Sequence, residues 1–365
     1  MDVSSSTRFA ALGRTQAYLV LTLVFVLMAG GLAVSWGVRP QLTSGKGQGD
    51  LALYAQVIQR VRHGETYYDA LGQELRARDY PMRSPFNWRT PLHLEVIAHL
   101  PEDDWARYLL VLAALGVIVL SVARPFRRAE YGTCLWEALL LAFPLTIAAM
   151  RPIYLFAEVW AGICIALSIR MYALGWAKSA AGTGMLALFF RELALPYVLI
   201  SLVLACRRKN KSELWIWIAG LAGFAAYFGL HAMSVAARIP GSGHAPEISR
   251  WIQFGGLRFI LITCRLGLLL GFPFWWAALY LPFALLGLAG WRDPVAGRTL
   301  ATVAAYLLAF NVIGIPSANF YWGAIYAPLL AFGTPWALAA LKDLVWAVLP
   351  SRWTAAADAS VPEAA

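Results

Sequence analysis

Long apolar runs alternate along the chain with short basic links, and one polar stretch, residues 39–105, separates the first two runs. Within the runs hydrophobicity is continuous and does not alternate. That pattern predicts helices and not barrel strands, because hydrocarbon cannot satisfy the backbone groups of an open strand. The first run, Thr15 to Val38, carries no charged residue and exceeds the roughly 20 residues that cross a bilayer core. It is longer than the apolar part of a signal peptide, and no small-x-small cleavage site follows, so a retained helix is expected. Further spans are expected near 107–123, 133–150, 153–174, 213–236, 270–290, 299–315 and 322–341, about eight full crossings in all.

The links sort by charge. Arg8 and Arg14 precede the first span, and Arg124/Arg127/Arg128, Arg170/Lys178, Arg207/Arg208/Lys209/Lys211 and Arg292/Arg298 fall on the same side of this topology. Basic residues concentrate in cytoplasmic loops, which places both termini in the cytoplasm and residues 39–105, 237–257 and 316–321 outside. The parity requires Ala180 to Cys206 to enter and return as a hairpin of two short helices, with Arg191-Glu192-Leu193 near its turn. Broken helices at depth are tolerated where they line a cavity, so this hairpin is a candidate wall of a site. The reading is therefore a membrane domain over 1–345 that contains the external loop 39–105 and the broken hairpin 180–206. Residues 346–365 form an Ala-rich cytoplasmic tail that is expected to be disordered.

A 67-residue connector far exceeds a typical loop, which marks residues 39–105 as a carrier of function. From Leu51 onward Leu51, Tyr54, Ala55, Ile58 and Val61 recur at helical spacing, opposite Gln56, Gln59, Arg60 and Arg62. This predicts an amphipathic helix on the membrane surface. Asp50 stands at its start, either as an N-cap or as a candidate catalytic base at the membrane surface. Tyr67-Tyr68, Tyr80-Pro81, Phe86-Asn87-Trp88-Arg89 and Thr90-Pro91 then lead to a second apolar helix at Leu92–Leu100. Such aromatics anchor a chain at the interface, stack on a sugar ring, or cover a prenyl chain.

Composition confirms the class: 60% hydrophobic residues, 14% charged, and a mean hydropathy of +0.61 exceed what a soluble core buries. The fold class is all-α, a polytopic transmembrane bundle. The net charge of +10 is carried largely by inter-span links, so it reads as membrane orientation and not as nucleic-acid binding. Cys134, Cys164, Cys206 and Cys264 show no CxxC spacing and are expected to be packed thiols. His63 and His93 lie near Glu65 and Glu95, but no ligand spacing supports a metal, and a divalent ion is left open.

Charges within spans are costly and are normally paired, cavity-facing or functional. Glu137, Arg151, Glu158, Arg191, Glu192 and Arg265 fall in this class. Glu158 follows Arg151 by seven residues, which a helix would place on one face. Such arginines serve either in structural ion pairs or as a pocket for phosphate, whose oxygens match the guanidinium fork.

Taken in order, these segments resemble the GT-C superfamily of membrane glycosyltransferases, which includes protein O-mannosyltransferases and the aminoarabinose transferases of lipid A. The resemblance rests on Gly49-Asp50 after the first span and on Tyr54…Ala55…Ile58…His63-Gly64…Tyr67-Tyr68. It continues through Phe189-Phe190-Arg191-Glu192-Leu193-Ala194-Leu195-Pro196 and the late Phe320-Tyr321-Trp322…Tyr326-Ala327-Pro328, covering most of residues 1–341. It implies an acidic general base in the first external loop, here Asp50, and a polyprenyl-phosphate-linked sugar donor in a bacterial-type inner (plasma) membrane. Many relatives carry a second acid; here Gly49 precedes Asp50, and Glu247 is the acid of the second external loop.

A carboxylate that removes the proton of a hydroxyl acceptor accelerates transfer by about 10²–10⁴-fold. Guanidinium groups stabilise the charge that develops on a leaving phosphate. Arg191, Arg151 and Arg265 are the donor-phosphate candidates, supported by Glu192, Glu158, Tyr54 and Tyr321. Direct displacement inverts the anomeric configuration. The acceptor is a glycan, lipid or protein hydroxyl, with membrane lipids as surroundings. The alternative is a transporter or flippase for a lipid-linked sugar, which shares broken helices and buried charges but predicts internal repeats that the sequence does not display.

Overall fold

The computed structural model describes residues 7–36, 49–123, 131–239, 252–266, 272–314 and 319–349. Glu247, and all of the expected tail except its first four residues, lie outside them. Among the described residues the chain is helical, with one isolated backbone bridge between Ile252 and Ile313 and no strand. The protein is an all-α polytopic membrane protein. Helices α1 (Arg14–Ser35), α5 (Asp103–Val122), α10 (Lys211–Ala236) and α13 (Pro294–Val312) are long and apolar enough to cross a bilayer alone.

The other expected crossings are built from shorter pieces. Residues 133–150 fall in α6 (Tyr131–Leu145) and a 3₁₀ turn over Thr146–Ala149; 153–174 is a 3₁₀ turn followed by α7 (Ala157–Ala173). The hairpin consists of α8 (Ala177–Phe190), an extended Arg191, a 3₁₀ turn over Glu192–Ala194, and α9 (Leu195–Arg207). Helices α11 (Gly256–Cys264) and α12 (Trp276–Gly290) follow α10. The segment 322–341 is not a continuous span. It divides into a 3₁₀ turn over Phe320–Ile325, α14 (Ala327–Leu330) and α15 (Thr334–Val348). Pro328 and Pro335 lack the N–H that would continue a preceding helix, so each restarts one in its first turn. Helix α15 also carries the chain past residue 345 before the tail begins.

Between α1 and α5 lies a layer of three helices, α2 (Asp50–Arg62), α3 (Tyr67–Ala77) and α4 (Pro91–His99). Helix α2 buries Leu53, Tyr54, Val57 and Ile58, and Leu51, Ala55 and Val61 pack at the edge. The buried face is thus rotated from the sequence reading, because α3 and α4 both pack against α2. Helix α7 is buried along most of its length, between α5, α8 and the 3₁₀ turn of Phe320–Ile325.

Close approach to that turn depends on Gly162, where an added Cβ would lie 2.1 Å from the Ala324 carbonyl oxygen. Gly162→Ala is expected to lower the melting temperature of the detergent-solubilised protein, since overpacking a tight contact costs about 1–3 kcal/mol. An unchanged melting temperature would show that the turn yields freely.

Two arginines assigned by charge pattern to loops are instead almost fully buried. Arg170 pairs with Glu137 at 2.8 Å and lies over the Phe332 ring at 3.8 Å. Arg298 donates to Ser201 Oγ at 2.6 Å, lies 3.9 Å from Glu213 and stacks over Tyr172. Pairing and ring stacking offset the desolvation that a lone buried charge would suffer. Of the thiols, Cys164 and Cys264 are packed, whereas Cys206 is exposed.

Candidate functional site

Asp50 opens α2 because the residue before it, Gly49, adopts φ +109°, a conformation that L-residues avoid. Gly49 is therefore the N-cap, and the Asp50 side chain is free to turn elsewhere. It accepts a hydrogen bond from Tyr80 Oη at 2.9 Å and another from Tyr321 Oη. The N-cap reading of this carboxylate is thus replaced by a tertiary one. Tyr80 follows α3, and Tyr321 arrives from the 3₁₀ turn late in the chain, so the contact joins segments 271 residues apart.

Tyr321 extends the network. Its hydroxyl accepts from Arg89 Nη2 at 2.9 Å, and Arg89 Nε donates to Tyr54 Oη at 2.7 Å. Tyr54 stands one turn after Asp50 on α2, so one helix face supplies both the acid and an acceptor for the guanidinium. Tyr54 and Tyr321 are buried, whereas Asp50, Tyr80 and Arg89 remain partly exposed. Burial, reinforced by the neighbouring Asp50 charge, pushes the Tyr80 phenol well up, so it stays a donor. Burial likewise raises Tyr54 despite the opposing Arg89 charge.

Arg89 was not among the candidates singled out from the sequence. Its signal was its setting, a cation amid Phe86, Asn87 and Trp88, ahead of the Pro91 that starts α4. Among the described residues its partners are two neutral hydroxyls, and no carboxylate lies within ion-pair distance.

A second group stands behind the first. Arg191, buried at the break of the hairpin, donates from Nε to Glu158 Oε1 at 2.6 Å and from Nη1 to Glu192, and lies 6.0 Å from the Trp322 ring. Glu158 lies in the first turn of α7, two residues after Phe156, whose ring stacks on Tyr321 with centroids 4.3 Å apart. Arg89 and Arg191 are within electrostatic reach of each other, and Arg89 also feels Glu158. Asp50, Arg191, Glu158, Glu192, Tyr54 and Tyr321 are thus brought together, with Arg89 added. Three carboxylates and two guanidinium groups leave the cluster one negative charge in formal terms.

His93 on α4 is buried close by. Burial, with the repulsion of Arg89 and Arg191, brings its imidazole down to about 3, so it is neutral and contacts the Tyr154 carbonyl through Nε2 at 3.2 Å.

Two predicted arginines lie elsewhere. Arg151 is largely exposed and pairs with Asp104 in the first turn of α5. The turn at Ile153–Leu155 interrupts the helix between Arg151 and Glu158, so their seven-residue spacing does not set them on one face. Arg265 follows α11, donates to the Phe272 carbonyl at 2.8 Å and lies 5.8 Å from the Phe274 ring. Among the described residues no group of three His, Cys, Asp or Glu side chains is placed to hold a metal ion.

No family model and no curated protein matches the sequence. Among solved structures the chain is similar to ArnT from Cupriavidus metallidurans, crystallised bound to undecaprenyl phosphate, with 16% identity and a TM-score of 0.49. The similarity covers 94% of this chain but 62% of that one, so this chain spans less than two thirds of that protein's length.

Proposed function

We propose that the protein is a GT-C-type membrane glycosyltransferase that moves a sugar from a polyprenyl-phosphate donor to a hydroxyl acceptor at the extracytoplasmic face. The observation that carries this reading is the link from a carboxylate to a guanidinium through one hydroxyl, Asp50 to Tyr321 to Arg89, with Asp50 and Arg89 both partly exposed residues. Asp50 is the general base. A carboxylate has about four lone-pair directions, and the two tyrosines occupy two, which leaves acceptor capacity for a substrate hydroxyl.

The acceptor oxygen attacks the anomeric carbon as Asp50 takes its proton. The bond from that carbon to the phosphate oxygen breaks, the electron pair leaves with the lipid phosphate, and the configuration inverts. Arg89 receives that phosphate, because neutral partners leave its charge available. Arg191 contributes at longer range, since Glu158 and Glu192 already offset it. The prenyl chain stays in hydrocarbon while the sugar reaches the layer of α2 to α4.

The test is transfer of labelled sugar from a panel of polyprenyl-phosphate donors to membrane extracts by the purified full-length protein. Turnover with one donor establishes the reading; no turnover with any donor brings the flippase forward. For Arg89→Lys, which keeps the charge but loses the fork, the donor KM is expected to rise about ten- to hundredfold, the value of one or two charge-assisted hydrogen bonds. A donor KM equal to wild type would remove Arg89 from phosphate binding.

A further inference from the structure

The segment that carries Arg89 has little regular structure of its own, only a 3₁₀ turn over Pro85–Asn87. It is fastened from outside. Tyr67 Oη donates to the Arg89 carbonyl at 2.7 Å. His231 on α10 meets the Pro85 carbonyl through Nε2 at 3.1 Å and Tyr68 Oη through Nδ1 at 3.0 Å. A carbonyl only accepts, so His231 carries a proton on Nε2.

Tyr227 lies one turn before His231 on α10, and its hydroxyl accepts from the Leu92 backbone N–H at 3.0 Å. That N–H is among the donors left unsatisfied in the first turn of any helix. The N-cap of α4, Thr90, makes no side-chain cap hydrogen bond, so Tyr227 caps α4 from another helix, three residues from Arg89. The same ring stands 5.5 Å from that of Phe189, two residues before Arg191. One side chain on a 26-residue helix therefore touches the segments that carry both arginines of the site.

We propose that Tyr227 is a positioning residue that sets the separation of Arg89 and Arg191, and with it the grip on the donor phosphate. This rests on the glycosyltransferase reading above. Loops hold functional groups less precisely than helices do, and a hydroxyl anchored on α10 adds a fixed point beside residues 84–90, whose regular structure is one 3₁₀ turn.

Two substitutions in the full-length protein separate the parts of this role. Tyr227→Phe keeps the ring against Phe189 and loses the bond to Leu92; Tyr227→Leu loses both. For Tyr227→Phe the donor KM is expected to rise about three- to tenfold, the worth of one net hydrogen bond, with kcat within about twofold of wild type on the same scale. Amide hydrogen exchange over residues 88–93 is expected to quicken, and Tyr227→Leu should lower kcat as well. A merely structural cap would quicken exchange and leave the donor KM unchanged, which would overturn the positioning role. Unchanged exchange with unchanged KM would also overturn it. In both cases transfer by the wild type leaves the glycosyltransferase reading intact, whereas a wild type inactive with every donor removes both.

Discussion

Asp50→Asn is expected to lower sugar transfer by about 10²–10⁴-fold, the usual contribution of a positioned general base, while the protein keeps its fold and melting temperature. The geometry explains why the fold survives. Tyr321 already accepts from Arg89, so its own proton must go to position 50, and the Asn carbonyl oxygen can receive it. The Asn amide then faces Tyr80, whose oxygen is able to accept instead of donating. Both contacts persist, and only the basicity is lost. The measurement is label transfer by purified wild type and variant with the donor identified from the panel, alongside thermal unfolding of each. Full turnover in a stable Asp50→Asn protein would refute the base assignment. A large fall in melting temperature would instead mark Asp50 as a structural anchor of the Tyr80 and Tyr321 segments.

The two arginines at the heart of the site differ in how legible they were. Arg191 could be found because it interrupts an apolar run, where an unpaired charge is too costly to be accidental. Its partner Glu158 was visible for the same reason, but helical spacing set it beside Arg151. The turn at Ile153–Leu155 removes Arg151 from the face of α7, and the hairpin break brings Arg191 there instead. Arg89 was hidden because it lies in a polar segment where arginines are common, and only the tertiary meeting of α2 with the turn at Phe320–Ile325 gives it a role. The amphipathic α2 and the long crossings follow from periodicity and length, and the hairpin from the parity of the basic links. The divided segment after Phe320 does not, because Pro328 and Pro335 sit among residues as apolar as those of a continuous span. Arg170 and Arg298 mislead for a related reason: they lie near helix ends, but acids and aromatic rings from other helices enclose them.

Arg191→Ala is expected to destabilise the protein by about 3–5 kcal/mol, the cost of stranding a buried charge when its partner is removed. Glu158 is about as buried as Arg191, with side chains 2% and 3% exposed respectively, and Glu192 keeps 17% exposure, so Glu158 bears most of that cost. Activity will fall as well, and the single variant cannot say why. The double variant Arg191→Ala/Glu158→Gln separates the causes, because it removes the stranded charge along with the guanidinium. It is expected to regain much of the lost thermal stability, since Gln at position 158 needs only hydrogen-bond partners in place of a counter-ion. If transfer stays low in that stabilised protein, Arg191 acts on the donor phosphate through the field it adds to that of Arg89. If transfer returns with stability, Arg191 serves the hairpin alone, and the phosphate is held by Arg89.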